Sequence, residues 1–460
     1  MSELTTRQPV SQLFSKAKVD KRRLASNMAP LIIKSTGLGG AISFPLLLVY
    51  FYGIHDAGVI QFFLSTTIML ASFIRLGWDH VLFRAGCNDD RQIQTQYLIS
   101  AVSQTLLLGI GILIAYYLTV YYTVNPSHQM IAWLSGLALI PLAVSWQVGE
   151  FQKGRGSTIQ WALLNNTGFQ LVGVALLVPI ALIQPGRPLV ATIAVVIAAW
   201  LVAILAIHRV YQDLQPDDSQ QCLTSDTSLC SMTDTQRIGL REVFSTSKLK
   251  ESLHLAPLSF SSSAQSWLDV TVVGLIGSPE AVTLIRLAGR FSFVPGFLNS
   301  IVVASLVPKL AQSIRENKTQ ATATLWQKTA RIPLALGLMS TVVVLVAVWV
   351  GRDWLADRGL ALLFPLIAIL SAGHLIAVAT GAVGYILLTC HQDHTLKRLS
   401  LLGLPIAAIL QFALVLVFGA IGSAIATALY LASYNLILRR FAHLALNQMN
   451  GSEPNTSTPA

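Results

Sequence analysis

Apolar stretches longer than about 18 residues recur along the whole chain, and they limit the folds open to it. A helix needs about 20 consecutive apolar residues to cross the hydrocarbon core of a bilayer. Of the 460 residues, 53% are hydrophobic and only 11% are charged, whereas an average soluble domain carries about 25% charged residues. The sequence therefore predicts an all-α, polytopic membrane protein.

The apolar pattern predicts about 12 transmembrane helices, divided into two bundles of six. Gly, Pro and Ser lie within many of them, which membrane helices tolerate because neighbouring helices satisfy the freed backbone groups. The first six predicted spans are residues 28–52, 57–81, 97–121, 128–149, 158–183 and 189–208. The second six are residues 252–276, 281–306, 332–350, 360–389, 399–418 and 421–441.

The distribution of basic residues predicts the orientation. With the N-terminus in the cytoplasm, 24 of the 31 lysines and arginines fall in cytoplasmic segments or, for Arg439 and Arg440, at the cytoplasmic end of the last predicted span. Only Arg187, Arg352 and Arg358 fall in outside connections. This asymmetry is typical of inner-membrane proteins, whose cytoplasmic loops carry the excess of basic residues. The net charge of +10 therefore indicates topology and attraction to anionic membrane lipids. Nucleic-acid binding is disfavoured because the charges are spread over separate loops.

The chain divides into two halves flanked and joined by polar segments. We expect a basic cytoplasmic tail at 1–27, an N-terminal bundle at 28–210, a cytoplasmic linker at 211–250, a C-terminal bundle at 251–443 and a tail at 444–460. Each bundle opens on a Pro-Leu pair, Pro30-Leu31 or Pro257-Leu258. The halves are therefore either parallel repeats around a central cleft or apolar helices that are similar by chance.

Two arginines inside the eighth predicted span are the strongest candidates for a binding site. Charged side chains in the membrane interior cost at least about 2.5–3.5 kcal/mol, so they normally face a partner or a water-filled cavity. Arg286 and Arg290 are four residues apart and share one helix face. Two guanidinium groups can hold a diphosphate through paired hydrogen bonds. The alternative for Arg286 is that its side chain reaches to the membrane surface.

Polar residues also recur along the seventh predicted span. Ser262, Ser266 and Asp269 follow one another at spacings of three or four residues, which predicts a polar stripe on one helix face. Asp269 is a candidate for coupling transport to H⁺ or Na⁺, and a purely structural ion pair with an arginine is an equal alternative.

Charged residues also lie in the first two predicted spans. Lys34 is a third candidate for the cavity, and its alternative is an ammonium group at the cytoplasmic surface. Arg75 and Asp79 are four residues apart, and a local salt bridge explains them.

Several segments resemble polysaccharide-precursor exporters of the Wzx type. They are residues 48–84, in which the second span closes on a Leu-Gly element and a basic residue, then Trp267-Leu268-Asp269, Pro279-Glu280-Ala281-Val282, Arg286-Leu287-Ala288-Gly289-Arg290, and the turn that begins at Phe418-Gly419. The resemblance covers nearly the whole chain, although its motifs are loose. His55-Asp56 stands where the family more often has Pro-Glu.

The resemblance implies a fold and an activity. Members of the wider multidrug, oligosaccharidyl-lipid and polysaccharide exporter superfamily pair two six-helix bundles around a V-shaped cleft. The polysaccharide branch flips undecaprenyl-diphosphate-linked oligosaccharides, such as O-antigen precursors of lipopolysaccharide, across the bacterial inner membrane for polysaccharide assembly proteins. By this resemblance the chain is a transporter and not an enzyme, and Arg286, Arg290 and Lys34 supply its cationic cavity.

Two alternatives remain at this level. A drug or metabolite antiporter of the same superfamily has the same fold. A membrane O-antigen polymerase or ligase is also polytopic, but such enzymes typically carry a large outside loop, and every predicted outside connection here is short.

Overall fold

The protein is helical throughout the part of the chain that the structure describes. The computed structural model describes residues 10–88, 90–214, 246–264, 267–316, 318–390 and 392–451, and these residues form no strand. The prediction of an all-α membrane protein is confirmed.

Eight helices and one short π-helix make up the N-terminal half. The helices are α1 (Val10–Ile74), α2 (Trp78–Gly86), α3 (Arg91–Thr123), α4 (Pro126–Gly136), α5 (Leu139–Gly154), α6 (Thr158–Ala162), α7 (Gly168–Ile183) and α8 (Pro188–Leu214). The π-helix, Leu163–Thr167, joins α6 to α7.

Nine helices make up the described part of the C-terminal half. They are α9 (Thr246–Ala264), α10 (Leu268–Ile276), α11 (Pro279–Ser292), α12 (Val294–Arg315), α13 (Thr319–Val350), α14 (Arg352–Ala356), α15 (Leu363–Ala379), α16 (Val383–Thr389) and α17 (Asp393–Gly451).

Two very long helices each contain two membrane spans. The described residues hold eight helices that are long and apolar enough to cross a membrane, among them Ser35–Ile74 with 40 residues and His394–Asn447 with 54. A single crossing takes only about 20 residues. Both helices are interrupted by a glycine with positive φ, Gly53 at 82° and Gly419 at 57°, where the backbone turns at little steric cost. These breaks lie where the sequence predicts that the first and eleventh spans end.

Other predicted spans are interrupted where the sequence predicts continuous helices. The second predicted span, 57–81, ends early at Ile74, because Leu76 and Gly77 both have positive φ. The fifth bends by 54° around the π-helix. The tenth divides at Gly381, with φ of 76°, into α15 and α16.

The outer limits of the predicted bundles also change. Helix α1 begins at Val10, so much of the predicted tail 1–27 is helical. Helices α8 and α9 extend into the predicted linker 211–250 from both sides, and residues 215–245 lie outside the described part. Helix α17 continues to Gly451, past the predicted boundary at 443.

The two halves meet along the second half of α1. This stretch packs against α11, α10 and α9 of the other half, and the largest buried apolar cluster contains residues of both halves. Gln61, Ser65, Thr67 and Ser72 are also buried along this stretch of α1, so the helix is apolar with scattered polar groups.

Contacts join the halves at both ends of this interface. At one end, here named the Gly53 end, the Thr283 hydroxyl donates a hydrogen bond of 2.8 Å to the Ile54 carbonyl, and His55 Nδ1 lies 2.7 Å from Glu280 Oε1.

At the opposite end, named the Gly77 end, the Ser252 hydroxyl donates to the Leu76 carbonyl and the Lys248 ammonium lies 5.0 Å from the centre of the Tyr97 ring. Since both ends are held, the halves must separate at one of them before anything large can pass between them.

Candidate functional site

A cavity of about 420 Å³ lies inside the C-terminal half. Its wall combines apolar side chains from α9, α10, α11, α15 and α17 with a set of polar ones. The polar lining residues are Asp269, Arg286, Arg290, Ser292, His374, Gln411, Thr427 and Tyr430. Its volume falls within the range of small-molecule sites, about 300–1,000 Å³.

Helix α11 places both arginines on the cavity wall. The helix begins at Pro279, and the hydroxyl of its capping residue Ser278 accepts a hydrogen bond of 3.3 Å from the Ala281 N–H. Arg286 and Arg290 then lie one turn apart on the same face, while residues such as Ile285 and Leu287 are buried. Arg290 lies roughly 17 Å along the helix from its start, which is about half the thickness of a membrane core.

Asp269 adds one negative charge to the same wall. It lies in the first turn of α10, where its Oδ1 accepts a hydrogen bond of 2.8 Å from the Val270 N–H. The carboxyl group is close enough to both arginines to interact with them electrostatically. One carboxylate beside two guanidinium groups leaves a net positive charge, so the described wall favours an anion.

The polar stripe predicted for the seventh span falls partly outside the described part of the chain. Helix α9 ends at Ala264 and α10 begins at Leu268, and residues 265–266 between them are not described. The side chain of Ser262, and Ser266 as a whole, lie outside the described part of the chain.

The remaining predicted charges fall into two classes. Lys34 lies within α1, and its side chain is outside the described part, so its role stays a prediction. Arg75 donates hydrogen bonds of 2.8 and 2.7 Å to the two carboxylate oxygens of Asp79, and its guanidinium lies 4.8 Å from the Trp146 ring centre. The predicted local salt bridge is confirmed.

Sequence reasoning did not assign several polar residues to the site. The His374 ring lies edge-on to Phe293, with ring centres 5.8 Å apart, on the cavity wall. Gln411 also lines the cavity and donates a hydrogen bond to the Ser423 hydroxyl. An amide in the middle of an apolar helix is itself a signal of an interhelical contact or a cavity.

A second and much smaller cavity lies between the halves. It measures about 20 Å³ and is lined by Gln61 and Gln170 from the N-terminal half and by Arg286 and Arg290 from the other. The two arginines therefore border both cavities.

Known proteins were compared with the chain at the level of sequence and of structure. No family model matches the sequence, and no curated protein matches it. Solved structures do match. An inward-facing multidrug resistance MATE family transporter of the MOP superfamily has a TM-score of 0.62 at 12% identity, over 93% of this chain and 99% of that one.

The fold is similar to that of solved transporters of the MOP superfamily. Two further MOP-type matches agree over nearly their whole lengths. A MOP superfamily transporter from Pyrococcus furiosus has a TM-score of 0.60 at 12% identity, over 92% of this chain and 96% of that one. The lipid II flippase MurJ, in an inward closed conformation, has a TM-score of 0.60 at 13% identity, over 92% and 89%. At these identities the likeness establishes the twelve-helix MOP fold, and drug transporters and a lipid flippase share it about equally.

Proposed function

We propose that this chain is a transporter that flips an undecaprenyl-diphosphate-linked oligosaccharide across the bacterial inner membrane by alternating access. The observation that carries the proposal is the excess of positive charge on the wall of a membrane-embedded cavity, where Arg286 and Arg290 outnumber Asp269. A diphosphate entering the membrane loses its hydration, and paired guanidinium groups replace those hydrogen bonds better than a single ammonium does. MurJ, of the same fold, is a flippase of a lipid.

The size of the cavity is consistent with a head-group site inside a moving protein. A space of about 420 Å³ suits a diphosphate and its first sugar better than a whole oligosaccharide, so the halves must part to admit the rest. The polyprenyl chain can stay in the lipid while the polar head passes between the halves. In this proposal, release of the Gly53 end and of the Gly77 end alternates.

Asp269 is the proposed coupling residue. Binding of H⁺ or Na⁺ to its carboxylate changes the charge beside both arginines, and hence their attraction for an anion. Replacement by asparagine should remove the dependence of transport on the ion gradient, and the variant should bind the diphosphate at least as tightly as the wild type because a negative charge beside the arginines is lost. Transport by Asp269→Asn that still follows the gradient as in the wild type would exclude this role.

Reconstitution tests the cargo directly. Wild-type protein in liposomes should move a fluorescent polyprenyl-diphosphate oligosaccharide to the opposite leaflet, scored by its cleavage by an impermeant glycosidase. The double variant Arg286→Ala/Arg290→Ala should reduce the rate at least about tenfold, since each lost charge-assisted hydrogen bond contributes about 1.5–3 kcal/mol. Arg352→Ala is the matched control, because Arg352 is exposed in α14 and outside the cavity.

Two outcomes count against the proposal in different ways. Absence of flipping by the wild-type protein excludes the lipid-linked cargo. Normal flipping by Arg286→Ala/Arg290→Ala excludes the arginines as the diphosphate site but leaves a transporter.

The same liposome assay distinguishes a drug antiporter from a lipid flippase. A drug antiporter of this fold should drive efflux of cationic dyes, which the positive excess on the described cavity wall disfavours. Dye efflux without lipid flipping would establish the antiporter instead.

A further inference from the structure

Gln61 is a buried polar residue without an evident structural role. It lies on the second half of α1 and is only 2% exposed, and neither its amide nitrogen nor its amide oxygen has a hydrogen-bond partner among the described residues. An unsatisfied buried polar group typically costs about 1–3 kcal/mol, and the large majority of buried side-chain polar atoms in native proteins have a partner. Because its unsatisfied amide lowers the stability of the fold, a role for Gln61 must be sought in binding and not in packing.

The position of Gln61 suggests that explanation. Its side chain lines the small cavity between the halves, which Arg286 and Arg290 of the other half also line. One turn further along α1, Ser65 is 1% exposed and its hydroxyl also lacks a partner among the described residues, but it does not line this cavity. The unsatisfied amide of Gln61 in one half thus borders the same space as the two arginines of the other.

The chemistry of an amide fits an anion that arginines already hold. The Nε2 group donates hydrogen bonds without adding charge, and the Oε1 atom can accept one from a sugar hydroxyl. The cavity of about 20 Å³ has room for about one oxygen-sized atom. A terminal phosphate oxygen is of that size, and the same space connects it to both arginines.

We propose that Gln61 is a substrate-positioning residue that donates to the diphosphate group from the N-terminal half. The inference rests on the proposed anionic cargo and deepens it, because the cargo then touches both halves at once. Arg286 and Arg290 hold the diphosphate from α11, and Gln61 closes the site from α1. Cargo bound in this way changes the contact between the halves.

Binding of pyrophosphate and of farnesyl diphosphate to the purified full-length protein tests the assignment. Both probes carry the diphosphate, and only the second carries a prenyl chain, so the pair distinguishes a free anion from a lipid-linked one. Gln61→Leu should weaken both by roughly tenfold to a hundredfold, as for loss of a hydrogen bond to a charged group. Its thermal midpoint should equal or exceed that of the wild type, because two unsatisfied buried groups are removed.

A charged variant and a matched control complete the design. Gln61→Glu should weaken binding more than Gln61→Leu does, because a carboxylate facing the arginines competes with the anion. Gln147→Leu is the control, since Gln147 is equally buried in the N-terminal half but its Nε2 donates to the Thr105 hydroxyl at 2.7 Å and lines neither cavity. It should bind both probes as the wild type does.

The failures are distinguishable. If the wild-type protein binds neither probe, the anionic cargo is excluded and this inference with it. If the wild type binds, Arg286→Ala/Arg290→Ala does not, and Gln61→Leu binds normally, the cargo stands and the role of Gln61 is overturned. A lower thermal midpoint for Gln61→Leu together with normal binding would make Gln61 a structural residue.

Discussion

The backbone of Gly58 lies close against Pro279 of the other half, and an added methyl group there should open the Gly53 end. A Cβ atom on Gly58 would lie 1.8 Å from the Pro279 carbonyl oxygen and 2.4 Å from its carbon. Both are backbone atoms, so no side-chain rotation relieves the clash. Ordinary contact begins at 3.4 Å, and the two helices must therefore part by about 1.6 Å in Gly58→Ala.

That displacement removes the hydrogen bonds that hold this end. The 2.8 Å bond from Thr283 to the Ile54 carbonyl would exceed hydrogen-bonding distance, as would the 2.7 Å contact between His55 and Glu280. The first contributes about 1 kcal/mol, and the exposed second pair about 0–1 kcal/mol. A loss of about 1–2 kcal/mol shifts the balance of closed and open forms by roughly fivefold to thirtyfold.

Distances between spin labels measure this shift. Cysteines at the exposed residues Tyr122 and Asp353, in a background where the four native cysteines are serine, report the separation of the halves at the Gly53 end. Double electron–electron resonance should show a larger long-distance population for Gly58→Ala, and flipping should slow. Gly111→Ala is the control, because its Cβ would have nothing within 4 Å. A distance distribution for Gly58→Ala that matches the wild type would refute the reasoning.

Two further substitutions probe other parts of the same framework. Gly77→Ala should open the Gly77 end, because its Cβ would lie 2.4 Å from the Ser252 carbonyl oxygen and the residue has a φ of +84°. Spin labels at Arg91 and Lys250 should then move apart. An unchanged distance between them would contradict the contact between Gly77 and Ser252. Arg75→Ala should lower the free energy of unfolding by about 3 kcal/mol, since it leaves the Asp79 carboxylate, whose side chain is only 14% exposed, without its partner. The double variant Arg75→Met/Asp79→Leu should lose much less, as judged from thermal midpoints; equal losses would show that the ion pair is not the cause.

The sequence predicted those features that depend only on residues close to one another along the chain. The end of the first span before Gly53 follows from a glycine in a short turn, and the Arg75–Asp79 pair follows from spacing alone. The placing of Arg286 and Arg290 on one face follows from helical periodicity. In each case the decisive residues are within four positions of one another.

Features that depend on another helix were not predicted. The break at Leu76 is a non-glycine residue at a φ of 44°, beside Ser252 in the other half, and only that neighbour explains its cost. Gln61 looks like any single amide in an apolar helix until the helix opposite it is known.

The stretch of α1 between the two ends has a mechanical consequence. Gly58 and Ile74 are joined by unbroken helix, which is roughly 24 Å long, and this rod touches the other half near each tip. A gap of 1.6 Å at one tip corresponds to a tilt of only about 4° over that length. That angle applies when the helix pivots about its far tip, so the contacts at the Gly77 end can stay in place while those at the Gly53 end part. A rotation of a few degrees is therefore enough to release one end alone.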